Sequence, residues 1–222
     1  MKAIDRGTID FKFEILRKSI HLCSLSIPIL YYYITRETAL TIFVPLTIFA
    51  LVIDIARYFS PPIKKIVHTL FGFLLRQHEV DEKKKNLSGA TYVLISATLG
   101  ILLIPKLYFI TAFAILILGD ISAALFGRKF GKHQFLYKSL EGTLAFFIVS
   151  SIVIFFTPKA DGLFIEYAIG VFAAAVGAIA ENISYGWADD NLTVPFSVGL
   201  TMWLLYYIFL PHIEFALRTI PM

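Results

Sequence analysis

The chain has 222 residues, of which 58% are hydrophobic and only 16% are charged, against roughly 25% in an ordinary soluble domain. A water-soluble fold of this size cannot bury so much apolar surface, and the composition also excludes a disordered, a collagen-like or a disulfide-rich chain. We therefore expect a single all-α integral membrane domain, a polytopic helix bundle long enough for about seven spans. The net charge of +4 is typical of basic cytoplasmic loops near anionic lipid, so no nucleic-acid partner is predicted.

Seven apolar segments follow one another along the chain, and each is predicted to be a membrane helix. They lie near Ile20–Ile34, Thr38–Phe59, Ala90–Ile104, Leu107–Phe126, Gly142–Phe156, Leu163–Ile183 and Leu192–Leu210. The third and fifth segments have only about 15 residues, which is short for a span. They must borrow flanking residues, thin the bilayer locally or sit inside the bundle.

Three stretches outside these segments are predicted to be cytoplasmic. Residues 1–19 form an amphipathic N-terminal segment, residues 61–88 hold an interfacial amphipathic helix and a loop with Lys83-Lys84-Lys85, and residues 127–141 form a basic loop. With the N-terminus in the cytoplasm, 16 of the 20 lysines and arginines face inward, as the positive-inside rule expects. The compact chain favours a prokaryotic plasma membrane, with the active site facing the cytoplasm.

Acidic residues at membrane depth indicate a functional site, because an ionisable side chain there costs several kcal/mol unless it is paired or wetted. Asp54 and Asp120 lie inside predicted spans, although Arg57 is placed to neutralise Asp54. Four more carboxylates lie at or just beyond cytoplasmic helix ends: Glu141, Glu181, Asp189 and Asp190. Because these groups share one side of the membrane, we expect them to converge on one cytoplasm-facing pocket.

Asp120 has two interpretations. It shares a helical face with Ala123, Ala124 and Gly127, and such a small-residue face is typical of close helix–helix contact. The alternative is a Mg²⁺ ligand with space beside it for phosphate. We favour the ligand, because a small neutral residue would pack there without a buried charge.

The loop after this helix combines glycines with cations. Gly127 and Gly131 allow close backbone approach, and polyphosphate binding needs both such glycines and positive charge. The surrounding cations are Arg128, Lys129, Lys132 and Lys138. The loop is not a Walker A motif, because three residues rather than four separate its glycines and His133 follows Lys132. The alternative is an ordinary positive-inside loop with turn glycines.

Two further clusters leave alternatives open. In the run Asp189–Asn191, either Asp190 or Asn191 can cap the last helix, but a cap needs only one such residue. We therefore predict a metal or nucleotide role for at least one aspartate. Arg17, Lys18 and His21 lie where the first helix enters the membrane, and they form either an interface anchor or part of the site.

Together these motifs resemble the CTP-dependent lipid kinase family, which includes dolichol kinase, phytol kinase and the yeast-type diacylglycerol kinase. The motifs occur in family order between about Glu14 and Pro195: Arg17-Lys18-x-x-His21, Gly119-Asp120 with Gly127 and Gly131, Lys138-Ser139-Leu140-Glu141-Gly142, Glu181, and Asp189-Asp190-Asn191-Leu192 with Pro195. The Gly119–Gly142 stretch is also similar to phosphatidate cytidylyltransferase. Leu136-Tyr137-Lys138-Ser139 replaces the Ser-Pro-Lys-type segment of that enzyme, which favours the kinase branch.

The resemblance implies a Mg²⁺-dependent kinase that moves a phosphoryl group from CTP to the hydroxyl of a polyprenol, a phytol-like alcohol or a diacylglycerol. The partners are thus a nucleotide and a membrane lipid, and the sequence allows a homodimer. The expected catalytic residues are Asp120, Lys138, Glu141, Glu181 and Asp190. The expected metal ligands are Asp120, Glu141, Asp189 and Asp190. The expected nucleotide-binding residues are Arg17, Lys18, His21, Gly127, Arg128, Gly131, Lys132, Ser139 and Asn191. The alternative functions are CDP-lipid synthesis and membrane transport.

Overall fold

The computed structural model describes residues 10–72, 86–184 and 189–213. Within these ranges the chain is all-α apart from one small hairpin, which confirms the all-α part of the predicted fold class. The helices are α1 Phe11–Cys23, α2 Ser26–Tyr33, α3 Arg36–Ala56, α4 Pro61–Phe71, α5 Gly89–Leu103, α6 Lys106–Phe130, α7 Leu140–Phe156, α8 Phe164–Ile183 and α9 Asp190–Phe209. The antiparallel strands β1 Gln134–Phe135 and β2 Lys138–Ser139 form the hairpin. The N-terminal residues 1–9 and the Lys83-Lys84-Lys85 run lie outside the described residues.

Among the described residues, four helices are long and apolar enough to cross a membrane: α3, α6, α8 and α9. The shorter apolar helices α5 and α7 have 15 and 17 residues and correspond to the segments predicted to be short. The predicted first segment is not one continuous helix, because the chain breaks between α1 and α2. Ser24 and Leu25 donate backbone hydrogen bonds to residues three positions earlier, and Pro28 has no backbone N–H to continue the α-helical ladder.

Helix α6 forms the centre of the bundle. Every residue from Leu107 to Ile117 is buried, as expected for a helix that is apolar on all sides. Its closest partner is α7, and α9, α1, α2 and α8 also pack against it. Gly119 allows the approach of α7, because a Cβ at this position would lie 2.7 Å from the Phe146 ring and 2.8 Å from the Ser150 hydroxyl.

Asp54 links α3 to α5. Its carboxylate lies 2.9 Å from Nε of Arg57 and accepts a 2.6 Å hydrogen bond from the backbone N–H of Ser88, the N-cap of α5. The interpretation that Arg57 neutralises Asp54 is therefore confirmed. This buried pair holds the start of α5 against the end of α3.

Helix α4 is the amphipathic helix predicted after the Pro61-Pro62 pair. The two prolines occupy its first positions, where a missing backbone N–H is tolerated. Ile66 and Leu70 are exposed on one face, and the exposed Lys65 lies on the opposite face. The location of this helix at the membrane interface stays a prediction.

Candidate functional site

Three carboxylates from three helices converge at one end of the bundle. Asp120 of α6, Glu181 near the end of α8 and Asp190 at the start of α9 each offer an oxygen atom, and these atoms lie within 4.8 Å of one another. Asp120 is 5% exposed and Glu181 is 3% exposed. Like charges this close and this buried repel strongly unless cations neutralise them.

Two lysines supply most of the neutralising charge. Lys18 of α1 donates a short hydrogen bond to Oδ2 of Asp120, and Nε2 of His21 lies 3.4 Å from the same oxygen. Lys138 of β2 donates to Oε1 of Glu181 at 2.5 Å, and its Nζ lies 3.6 Å from Oδ2 of Asp190. With His21 counted as neutral, these described carboxylates and ammonium groups leave one net negative charge.

The environment of Lys138 keeps it charged. Burial lowers the pKa of its ammonium group, but the charges of Glu181 and Asp190 outweigh burial and raise the pKa above its usual value. At physiological pH the side chain is therefore a cation held between two carboxylates. Such a cation is suited to contact an incoming phosphate group.

Three glycines allow close packing around Ser139. A Cβ at Gly127 would lie 3.0 Å from the Ser139 hydroxyl, a Cβ at Gly131 would lie 2.9 Å from it, and a Cβ at Gly142 would lie 2.9 Å from the carbonyl oxygen of Ala123. Ser139 in turn caps α7, since its hydroxyl accepts a 3.2 Å hydrogen bond from the backbone N–H of Gly142. These glycines therefore seat the hairpin against α6 and α7, and their contact with phosphate stays a prediction.

Asn182 is a residue of this site that sequence reasoning missed. Its side chain is fully buried, and its Nδ2 donates to the Thr143 hydroxyl at 2.6 Å. Its Oδ1 accepts hydrogen bonds from the backbone N–H groups of Tyr137 at 3.0 Å and Lys138 at 3.3 Å. The available signal was an amide directly after Glu181 in a mostly apolar segment, because polar groups in membrane helices are costly and usually functional.

Glu141 contacts the hairpin and lies outside the group of three carboxylates. It accepts a 2.7 Å hydrogen bond from the His133 ring and another from the His133 backbone N–H. Although desolvation raises the pKa of Glu141, hydrogen bonds from the His133 ring and from backbone N–H groups lower it to about 2. Lys132 lies beside this contact as an exposed side chain. The metal role of Glu141 stays a prediction.

Asp189 caps α9. Its Oδ1 accepts hydrogen bonds from the backbone N–H of Asn191 at 2.9 Å and from the Asn191 side-chain amide at 2.7 Å. The prediction that Asp190 or Asn191 supplies the cap is therefore wrong, because the helix begins at Asp190. The proposed metal role of Asp189 and nucleotide role of Asn191 stay predictions.

Helix α1 turns its polar side toward the protein. Glu14 and Lys18 are buried, Arg17 is half-buried and Ile20 on the opposite face is 50% exposed. Nη1 of Arg128 lies 3.4 Å from Oε2 of Glu14 and joins α1 to the end of α6. Lys18 and His21 of the N-terminal motif thus lie beside Asp120, and the role of the motif in nucleotide binding stays a prediction.

Known proteins similar to this chain include two uncharacterized ones and one enzyme. The uncharacterized protein RP860 of Rickettsia prowazekii is 31% identical over 205 residues, which cover 90% of this chain and 98% of that protein. The uncharacterized protein MJ1137 of Methanocaldococcus jannaschii is 33% identical over 64% of this chain and 67% of its own length. The phytol kinase of Synechocystis is 31% identical over 105 residues, and that match covers 41% of this chain and 42% of the kinase.

No protein-family model matches the chain. No solved structure gives a significant match. The partial similarity to phytol kinase indicates a kinase-like family. Because the match to RP860 covers nearly the full length of both proteins, this chain belongs to the RP860 family.

Proposed function

We propose that the protein is a Mg²⁺-dependent kinase that transfers the γ-phosphoryl group of CTP to the hydroxyl of a membrane lipid alcohol. The observation that carries the proposal is the convergence of Asp120, Glu181 and Asp190 with Lys18 and Lys138 against them. The partial similarity to phytol kinase supports the same class of reaction. CTP as the donor is expected from the motif resemblance alone.

The three carboxylates fit Mg²⁺ by charge, atom type and spacing. Mg²⁺ prefers oxygen ligands and uses few protein carboxylates together with phosphate oxygens and water. Ligands on opposite sides of the ion lie about 4.2 Å apart, so oxygens spread over at most 4.8 Å need only small side-chain movements. When bound, the ion would neutralise charge on the transferring phosphates.

Lys18 and Lys138 supply the cations that phosphoryl transfer needs. Each now contacts a carboxylate, and each exchanges that contact for a phosphate oxygen when the nucleotide enters. A bond forms between the lipid hydroxyl oxygen and the γ-phosphorus, the bond from the γ-phosphorus to the bridging oxygen breaks, and CDP leaves. Glu181 or one of the two aspartates accepts the hydroxyl proton.

The membrane arrangement in this proposal has seven spans and a cytoplasmic N-terminus. The four long helices, the shorter α5 and α7, and the broken α1–α2 segment make up the seven. The excess of lysine and arginine on one side supports this orientation in a prokaryotic plasma membrane. The lipid enters sideways between helices, and only its head group reaches the cytoplasmic site.

A substrate panel tests the proposal. Purified protein with Mg²⁺ is supplied with polyprenol, phytol or diacylglycerol, each combined with CTP, ATP, GTP or UTP. We expect a phosphorylated lipid and CDP, and a loss of roughly 100-fold or more in Asp120→Asn. The exposed Asp161→Asn variant is the matched control and retains activity. Release of pyrophosphate with a CDP-lipid would favour CDP-lipid synthesis, and transfer to no lipid alcohol would refute the kinase.

A further inference from the structure

We infer that Asn182 is a positioning residue, which fixes the backbone of the β1–β2 hairpin so that Lys138 reaches Glu181 and Asp190 together. The role of that lysine in binding a nucleotide rests on the proposed function. The positioning itself rests on hydrogen bonds that do not depend on which ligand binds.

Consecutive residues of α8 hold two parts of the same lysine. Glu181 accepts from the Lys138 side chain at 2.5 Å, and Asn182 accepts from the Lys138 backbone N–H at 3.3 Å. The neighbouring Tyr137 N–H donates to the same Asn182 oxygen at 3.0 Å. The last turn of α8 therefore positions both the backbone and the ammonium group of Lys138.

An asparagine suits this position because the side chain there must both donate and accept hydrogen bonds. The Thr143 hydroxyl donates to the carbonyl oxygen of Ser139 at 3.1 Å, so it presents a lone pair to the Asn182 amide. An aspartate at position 182 would place an acceptor against that lone pair and a further negative charge beside Glu181. An apolar residue would leave the N–H groups of Tyr137 and Lys138 without this acceptor.

The position of the hairpin decides whether Lys138 can contact carboxylates on two helices. Its Nζ lies 2.5 Å from Glu181 on α8 and 3.6 Å from Asp190 on α9, so it bridges carboxylates on two helices. A shift of about 1 Å in the hairpin would remove one of these contacts, and displacements of that size can reduce a reaction rate roughly 100-fold. Lys138 belongs to the hairpin, and Asn182 binds the hairpin backbone to α8 through two hydrogen bonds.

A double-mutant cycle tests the inference. Asn182→Ala, Lys138→Met and the double variant are compared for kcat and KM with the phosphoryl donor. We expect Asn182→Ala to lower kcat/KM roughly 10- to 100-fold when Lys138 is present, but less than about threefold in the Lys138→Met background. A purely structural role predicts the same loss in both backgrounds, and that result would overturn the inference. The control Ser184→Ala removes a buried hydroxyl at the end of α8 that contacts the Ala180 carbonyl and the Thr193 hydroxyl but not the hairpin, and it shows no such coupling.

A second measurement does not need kinase activity. The rate at which an amine-acylating reagent modifies Lys138 is followed by mass spectrometry in the wild type, Asn182→Ala and Ser184→Ala. We expect at least an approximately fivefold increase in Asn182→Ala, the factor that corresponds to about 1 kcal/mol for one hydrogen bond, and no change in Ser184→Ala. Equal rates in the wild type and Asn182→Ala would overturn the inference, whereas an inactive wild type would overturn only the proposed function.

Thr143→Val covers the case in which Asn182→Ala does not fold. This variant removes the hydroxyl that accepts from Asn182 and keeps the amide next to the hairpin. We expect a smaller increase in Lys138 acylation, in the same direction. An unchanged rate in folded Thr143→Val would count against the inference.

Discussion

The balance of charge at the carboxylate site predicts that the two partners of one ion pair contribute unequally to stability. Removing the lysine should destabilise the protein more than neutralising the aspartate. Lys18 and Asp120 contact each other, and their side chains are each 6% exposed. Lys18→Met leaves three carboxylates with Lys138 and makes the net charge more negative, from −1 to −2. Asp120→Asn leaves two carboxylates with two lysines and brings the net charge to zero.

The expected free energies follow from this difference. Removing one partner of a buried ion pair costs about 3–5 kcal/mol, and we assign this range to Lys18→Met. Asp120→Asn keeps a neutral acceptor and relieves repulsion from Glu181 and Asp190, so we expect only the loss of a charged hydrogen bond, about 1.5–3 kcal/mol. The gap corresponds to a Tm about 3–8 °C lower for Lys18→Met than for Asp120→Asn.

Thermal unfolding in detergent, with and without Mg²⁺, measures both effects. Added Mg²⁺ should raise the Tm of Lys18→Met more than that of the wild type, because the more negative site binds a divalent cation more tightly. Lys65→Met, on the exposed face of α4, is the control and leaves the Tm unchanged. An Asp120→Asn variant as unstable as Lys18→Met would refute the charge count. A Tm that does not respond to Mg²⁺ would refute the metal site.

Three further predictions concern other parts of the chain. Glu141→Gln should be less stable than the wild type above about pH 4.5, and this difference in stability should vanish as the pH falls to about 2. The reason is that a depressed pKa adds stability only where the group in the unfolded chain has lost its proton. Unfolding midpoints measured across this pH range test the prediction. Gly119→Ala should lower the Tm, because overpacking against the α7 side chains costs about 1–3 kcal/mol; an unchanged Tm would contradict the close contact. In a Cys23→Ser background, a fluorophore at Leu70→Cys should be quenched by lipid-borne quenchers and one at Lys65→Cys should not, whereas no quenching at either position would place α4 away from the membrane surface.

The predictions that held are those that depend on local composition. The all-α class, the two short apolar helices and α4 follow from hydrophobic periodicity and proline placement, which act over a few residues. The break between α1 and α2 was missed because the residues next to it on both sides are mostly apolar, although Pro28 carried a signal. The cap of α9 was missed by one residue, because Asp189, Asp190 and Asn191 are all good caps.

Contacts inside the site depend on packing that the sequence pattern does not contain. Lys18 contacts Asp120 across 102 positions, and neither residue type nor spacing selects that partner. Gly127 and Gly131 carried a correct signal for close backbone approach, but in the structure the approaching group is Ser139. Asn182 was missed because a single amide has no spacing motif, and its role emerges only where the hairpin folds back onto α8.

The contact between the polar side of α1 and α6 joins residues that leave the ribosome at well-separated times. Lys18 is synthesised 102 residues before Asp120, a delay of about 5–20 s at ordinary translation rates. During that interval the amine has no carboxylate from α6 to pair with. The site is complete only after Asp190 at the start of α9 has been synthesised, so Lys18 waits longer than any other of its charged groups for the full set.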